Sequence, residues 1–221
     1  MAAIDPELIK RIKASEENYL ACIAGRGGII DLTTMVENTL IDIIAWCFYP
    51  TAFDFHQGNI NEQLDEDGII LKSLLLAKLE FHERTEIIQK IIRIKKAEVW
   101  ENYRKLIKEI VKELDEVRKF RNMLAHSPID WNKYTDALQE EGVRDLDSFF
   151  ILEYRDGKVR KHTINKNKIE VEVNRIHRVW YKLLQLWALL RNDTDDAKAC
   201  EFLSNLSEED NERLLKHYGF K

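Results

Sequence analysis

Residues 103–128 have the sequence YRKLIKEIVKELDEVRKFRNMLAHSP, and this stretch decides the fold. Its stripe residues recur at alternating spacings of four and three, as expected for an amphipathic helix with one buried face. Pro128 ends the helix, because proline has no backbone donor and disfavours helical geometry at the preceding residue. We therefore predict one long helix over about 97–126. Its stripe comprises Tyr103, Ile107, Ile110, Leu114, Val117, Arg121 and Leu124.

One position of this stripe carries an arginine where packing favours an aliphatic side chain. A guanidinium keeps its proton in a protein, and burying it without a partner costs free energy. Arg121 therefore indicates either a buried ion pair or a functional cleft.

Two further polar residues accompany Arg121 at the end of the helix. Asn122 and His126 are four residues apart and so share a helix face. His126 lies at the helix C-terminus, where the macrodipole favours the imidazolium. A histidine that transfers protons, an arginine that binds phosphate and an amide that orients the histidine or the substrate are suited to phosphodiester cleavage. Arg121, Asn122 and His126 are our candidate catalytic residues.

A structural role would also account for these residues, with Arg121 in a buried ion pair and His126 as a helix cap. The spacing alone is weakly specific, because Arg155 and His162 repeat the pattern of an arginine followed by a histidine. What distinguishes Arg121 and His126 is their position at the end of a long amphipathic helix, just before a proline.

Composition indicates a globular, helix-rich protein. The chain has 221 residues, of which 45% are hydrophobic and 33% charged, with only 8 glycines and 3 prolines. We predict a single domain over 1–221. The net charge of −5 requires any nucleic-acid contact to come from local basic patches.

The cysteines and the terminal sequence indicate a cellular compartment. Cys22, Cys47 and Cys200 are widely spaced, which predicts reduced, mostly buried thiols rather than a disulfide or a zinc site. Neither a secretory signal nor a membrane-spanning segment is recognisable. We expect a cytoplasmic protein with no membrane partner.

The rest of the chain predicts further helices and one hairpin. Asp156-Gly157 between two strand-like runs is typical of a β-hairpin, here over about 149–165. The glycines of Gly25–Gly28 predict a break between the first two helices. Asp193 and the Ser207–Asp210 pair predict helix starts in a C-terminal helical tail over about 193–221. The other predicted helices cover Pro6–Gly25 and about 32–48, 69–79, 83–94 and 173–191. The expected fold class is all-α with one inserted hairpin.

Three charged features admit more than one interpretation. Residues 155–168 contain six lysines and arginines against one aspartate. This run is either a surface that tracks a phosphate backbone or a solvated edge strand protected by its charge. We interpret Glu37 as a surface carboxylate and His82–Glu86 as a solvent-facing helix start, since the latter lacks the second histidine of a zinc-binding His-Glu-x-x-His.

The sequence Arg121-Asn122-x-x-Ala125-His126-Ser127-Pro128, at the end of a long helix, resembles the signature of the HEPN superfamily. These are the "higher eukaryotes and prokaryotes nucleotide-binding" helical domains. The likeness covers roughly residues 30–190. Two earlier segments are similar to the helix pair of that family, namely Glu37 with Leu40, Ile43 and Ile44, and Leu79-Glu80-Phe81 with Ile87 and Ile88.

The resemblance implies an up-and-down helical bundle that commonly dimerises. Many members are endoribonucleases that use neither a metal ion nor a cofactor, whereas others only bind nucleotides or proteins. By position, Arg121 would contact the scissile phosphate, His126 would be the general acid or base, and Asn122 would be the polar partner of the arginine. A homodimer would bring both motifs into one cleft, which would explain an arginine on the stripe.

The resemblance also implies a biological setting. The expected substrate is RNA, and the expected product carries a 2′,3′-cyclic phosphate. The expected role is that of a toxin or an antiviral-defence protein, and a nucleotidyltransferase-type antitoxin is a candidate partner protein.

Overall fold

The computed structural model describes residues 6–48, 78–128, 148–155 and 158–207. The described residues are mainly helical and contain one antiparallel two-stranded sheet, which confirms an all-α fold with one inserted hairpin. None of the described helices is long and apolar enough to cross a membrane. In chain order the elements are α1 (Pro6–Phe48), α2 (Phe81–Lys95), α3 (Ala97–His126), β1 (Ser148–Arg155), β2 (Lys158–Asn165), α4 (Lys166–Leu190) and α5 (Thr194–Ser204).

The chain divides into two compact units, each built from two segments. The first unit comprises residues 1–33 and 119–175, and thus holds the end of α3 together with the hairpin. The second comprises residues 34–118 and 176–221. All the candidate catalytic residues belong to the first unit.

From Ile107 onward the aliphatic members of the predicted α3 stripe are buried, whereas Arg121 is half-buried. Tyr103, the first predicted member, is 39% exposed, so its assignment to the buried stripe was wrong. The physical reason is local, because Tyr103 leaves helical geometry with φ −120° and ψ 22°, which changes the direction of its side chain relative to the turns that follow. The buried aliphatic members are Ile107, Ile110, Leu114, Val117 and Leu124.

The predicted break at Gly25–Gly28 is wrong, because α1 runs through it without interruption. A β-carbon placed on Gly25 would lie 2.5 Å from Ile169 Cγ2 of α4, whereas one placed on Gly27 or Gly28 would meet nothing within 4 Å. Gly25 therefore permits a close approach of α1 and α4 within the first unit. Each glycine in a helix costs roughly 1 kcal/mol relative to alanine. The helix nevertheless continues, because packing of its buried face outweighs this cost.

Other boundaries differ less. Helix α4 begins at Lys166 rather than near 173, since the Asn165 side chain accepts a hydrogen bond from the Lys168 N–H at 2.9 Å and caps the helix. The predicted cap at Asp193 is confirmed by a 3.1 Å bond from the Asp196 N–H. The Asp156-Gly157 turn, the tail from 208 onward and almost all of the predicted 69–79 helix lie outside the described residues.

The described cysteines are free thiols. Cys47 is buried and Cys200 is partly buried, as the sequence predicted for reduced cysteines. Burial raises the pKa of the Cys47 thiol to about 11, which keeps it protonated and unreactive at neutral pH. The side chain of Cys22 lies outside the described residues.

Candidate functional site

The end of α3 is fixed by backbone hydrogen bonds. The helix ends at His126 as predicted, and the N–H of Ser127 donates to the Met123 carbonyl at 3.1 Å. The carbonyl of Pro128 then accepts a 3.1 Å bond from the N–H of Leu152 in β1. The hairpin is thus attached two residues beyond His126.

Arg121 is half-buried on the stripe and is incompletely satisfied. Its Nη1 donates to Asn122 Oδ1 at 3.1 Å, while its Nε is buried without a hydrogen-bond partner. Within the described residues, no carboxylate lies at ion-pair distance from Arg121. Of the two interpretations of a stripe arginine, the buried ion pair is therefore not found there. Within the described residues, the bond to Asn122 uses one of the five N–H groups of the guanidinium.

His126 differs from Arg121 in its exposure. Its side chain is solvent-exposed, and the part of the chain that the structure describes provides no hydrogen bond to the imidazole. The Asn122 amide oxygen is engaged by Arg121 rather than by His126. The structure therefore joins Arg121 to Asn122 and leaves His126 separately accessible at the helix end, where a substrate could reach it.

A second arginine, which the sequence analysis missed, reaches the same turn. Arg26 of α1 donates from Nη2 to the Ala125 carbonyl at 3.2 Å, next to His126 in the chain. This bond satisfies one of the free carbonyls at a helix C-terminus, where a cation is favoured. No local sequence signal indicates this bond, because its acceptor lies 99 positions away.

The second arginine–histidine match is a different arrangement. In the hairpin register His162 faces Ile151, whereas Arg155 faces Lys158 near the turn. The His162 Nε2 lies 2.9 Å from Glu153 Oε2 across the strands. His162 is thus occupied by a carboxylate partner, unlike His126.

Glu37 and Arg84 form a partly buried ion pair in the second unit. The Arg84 Nη1 lies 3.2 Å from Glu37 Oε2, and Arg84 is only 7% exposed. Glu37 is thus a partly exposed carboxylate that pairs with an arginine rather than a free surface carboxylate. In the predicted solvent-facing helix start, His82, Glu83 and Glu86 are exposed, whereas Arg84 and Thr85 are buried. The reason is mutual neutralisation, which allows a guanidinium to be buried at a helix start. This pair shows how the fold satisfies an arginine, in contrast to Arg121.

Within the described residues, no three histidine, cysteine, aspartate or glutamate side chains come together as a metal site. Comparisons with protein families, with curated proteins and with solved structures found no match to this chain. Membership of the HEPN superfamily therefore stays a prediction from the sequence.

Proposed function

We propose that this protein is a homodimeric, metal-independent endoribonuclease of the HEPN type. The observation that carries the proposal is Arg121, which lies on a buried helical stripe with an unsatisfied Nε and no carboxylate among the described residues. A fold that pairs Arg84 with Glu37 has the means to neutralise an arginine. Leaving Arg121 without a carboxylate, five residues before an exposed histidine on the same helix, is a cost that binding of a phosphate would offset.

The proposed chemistry uses the 2′-hydroxyl of the RNA as nucleophile. A His126 imidazole accepts the proton of that hydroxyl while its oxygen attacks the phosphorus. The bond from phosphorus to the 5′-oxygen breaks, and an imidazolium donates a proton to the leaving oxygen. The products are a 2′,3′-cyclic phosphate and a 5′-hydroxyl, so no water and no redox partner is consumed.

Arg121 stabilises the charge that develops on the phosphate oxygens in the transition state. Asn122 holds the guanidinium by accepting its Nη1–H at 3.1 Å, which directs the remaining donors. In a homodimer whose two motifs share one cleft, one His126 acts as the base and the second as the acid. A toxin or antiviral-defence role in the cytoplasm, restrained by a nucleotidyltransferase-type antitoxin, follows from the same HEPN likeness.

The direct test is to incubate the purified protein with RNA in the presence of a chelator, beside His126→Ala and Arg121→Ala. We expect the wild type to cleave and to leave a 2′,3′-cyclic end, and both variants to lose at least a hundredfold in rate. Asp195→Ala, an exposed substitution in α5, is the control for handling and should retain full activity. Equal cleavage by all chains, or none by any, would remove the catalytic proposal.

The second candidate is a non-catalytic module that binds a nucleotide or a protein through the same residues. The observation that favours it is that Asn122 bonds to Arg121 and leaves the His126 imidazole without an orienting partner among the described residues. This candidate predicts that phosphate-ligand binding survives His126→Ala, is lost in Arg121→Ala and is not accompanied by RNA cleavage.

A further inference from the structure

We propose that the basic arm, defined here as residues 158–168 of β2 and the first turn of α4, binds the phosphate backbone of RNA beside the Arg121–His126 motif. The identity of the nucleic acid rests on the proposed function, whereas the anionic chemistry of the ligand rests on the arm itself. Its five lysines and arginines, with no acidic residue, give this segment a net charge of +5. Since the whole chain carries −5, all other residues together carry −10.

The cations of the arm are displayed to solvent. Lys158, Arg160 and Lys161 are exposed along β2. Within the described residues, Lys158 and Arg160 form no ion pair. Cations used to stabilise the fold would be paired, as Lys182 is with Glu109 at 2.6 Å and Glu113 at 2.9 Å in the second unit.

The arm is held firmly where it meets the motif. Ile151 and Ile164 are buried, and Glu153 contacts His162 across the strands. The Leu152 N–H bonds to the Pro128 carbonyl, two residues after His126. A polyanion bound along the basic arm would therefore extend to the end of α3, which carries the candidate catalytic residues.

The end of the arm adds a second electrostatic anomaly. Lys166 and Lys168 lie in the first turn of α4, which contains no acidic residue. The N-terminus of a helix already has a positive potential and normally favours acidic side chains there. Lys166 lies 3.7 Å from Glu170, and Lys168 donates to the Thr163 carbonyl at 3.4 Å. Both lysines stay solvent-exposed beside the positive end of the helix, where a bound phosphate would be stabilised.

A linear polyanion fits the arm better than a membrane surface does. Alternate residues of a strand lie about 7 Å apart along its length, so Lys158 and Arg160 form a row rather than a patch. Among the hairpin side chains that the structure describes, Val159 is the exposed large apolar group, and insertion into lipid requires a broader apolar face.

The test compares the wild type with Lys158→Gln/Arg160→Gln, using the full chain. A matched control, Lys10→Gln/Lys13→Gln, removes two exposed lysines from α1 and changes the net charge equally. The probe is a fluorescent 2′-O-methyl oligouridylate, which cannot be cleaved because its 2′-oxygen is blocked. Binding is measured by anisotropy over a range of salt concentrations.

We expect the arm variant to bind more weakly and to lower the salt slope of log K by about 1.4, since each phosphate contact with a single strand contributes about 0.7. The control should keep the wild-type slope. With cleavable RNA, the arm variant should raise KM while largely retaining kcat.

Equal slopes for the arm variant and the control would overturn the inference, as would binding to anionic vesicles without binding to the oligouridylate. These experiments distinguish failure of the nuclease proposal from failure of the basic-arm proposal. Arm-dependent binding without any cleavage refutes only the nuclease, and cleavage with arm-independent binding refutes only the arm.

Discussion

Arg121 is an arginine on a stripe whose other members from Ile107 onward are buried aliphatic side chains. A buried donor without a partner costs about 1–3 kcal/mol, and its Nε is such a donor. We expect Arg121→Leu to raise the free energy of unfolding by up to about 1–3 kcal/mol while abolishing RNA cleavage. Urea denaturation at fixed protein concentration measures the first effect, and a cleavage assay measures the second.

The matched control lies on the same stripe. Leu124→Ala removes a fully buried side chain and should lose about 2–5 kcal/mol. A loss of stability in Arg121→Leu would contradict the prediction, because it would mean that the guanidinium has a stabilising partner in the folded protein.

His177 of α4 makes stability depend on pH. Burial lowers the pKa of His177 below its ordinary value of 6.5, so the folded protein holds the neutral imidazole. Above that value both folded and unfolded chains are neutral there, and its contribution to stability is fully present. As the pH falls below about 6.5, the unfolded chain takes up the proton first, and stability declines by at most about 1.4 kcal/mol per pH unit.

We expect the free energy of unfolding of His177→Gln to fall less steeply as the pH is lowered than that of the wild type. Urea unfolding from pH 7.5 down to about pH 5 measures this dependence. Equal pH slopes for the variant and the wild type would contradict the assignment to His177.

Individual residues show how far the sequence could predict the site. The alternating spacing of the stripe was enough to single out Arg121 and to locate His126 at the helix end. The bond from Arg26 to the Ala125 carbonyl was not predictable, because it joins residues 99 positions apart. Tyr103 was misplaced because periodicity assumes regular helical dihedrals, and the backbone departs from them there.

Helix α1 was the largest error among the elements. Three glycines in four residues are typical of a break, yet the helix continues through them. Local propensity could not reveal that Gly25 lies against Ile169, a contact made by a distant part of the chain. The hairpin and α3 were predicted well because their signals, Asp-Gly between two strand-like runs and a regular stripe ended by proline, are local.

The glycines of α1 should respond oppositely to alanine. Gly28→Ala meets nothing within 4 Å and should stabilise the protein by roughly 0.5–1 kcal/mol through helix propensity. Gly25→Ala places a β-carbon 2.5 Å from Ile169 Cγ2 and should destabilise it by about 1–3 kcal/mol. Thermal unfolding of both variants measures the difference.

A double-mutant cycle separates the contact from the backbone effect. Ile169→Ala removes the obstructing atoms, so the penalty of Gly25→Ala should largely disappear in that background. Additive effects of the two substitutions would show that Ile169 is not the cause.

The connection from α1 to the end of α3 should matter for activity. Arg26→Ala removes the 3.2 Å bond to the Ala125 carbonyl and loosens the turn that carries His126. We expect a loss of roughly ten- to a hundredfold in kcat, with partial recovery in Arg26→Lys, which keeps a donor and a charge. A fall in thermal stability that accounts for the whole loss of activity would show a purely structural role.

The molecule as a whole has a net negative charge but carries the basic arm, and this distribution of charge determines where RNA would bind. A total charge of −5 disfavours binding of nucleic acid over the whole protein surface, but it does not describe the charge of the basic arm. Composition could therefore exclude a protein with a generally basic surface. It could not reveal that the exposed cations of β2 lie in a hairpin whose other strand is hydrogen-bonded to Pro128, two residues after His126.

A shared cleft makes a prediction about mixed dimers. If one His126 is the base and the partner's His126 the acid, a dimer with one wild-type and one His126→Ala chain is inactive. Random pairing of equal amounts should then leave about a quarter of the activity, whereas independent sites would leave about half. Both chains are co-expressed with different tags, and the cleavage rate per total protein is measured at several ratios.

The control mixes wild type with Gly28→Ala, which keeps both histidines and should leave the rate unchanged at every ratio. A rate proportional to the wild-type fraction would contradict the shared cleft while leaving RNA cleavage by a single motif intact. A rate proportional to the square of that fraction would require two histidines per reaction, because only dimers of two wild-type chains then contribute. The shape of the curve thus separates the composite site from a site complete in one chain.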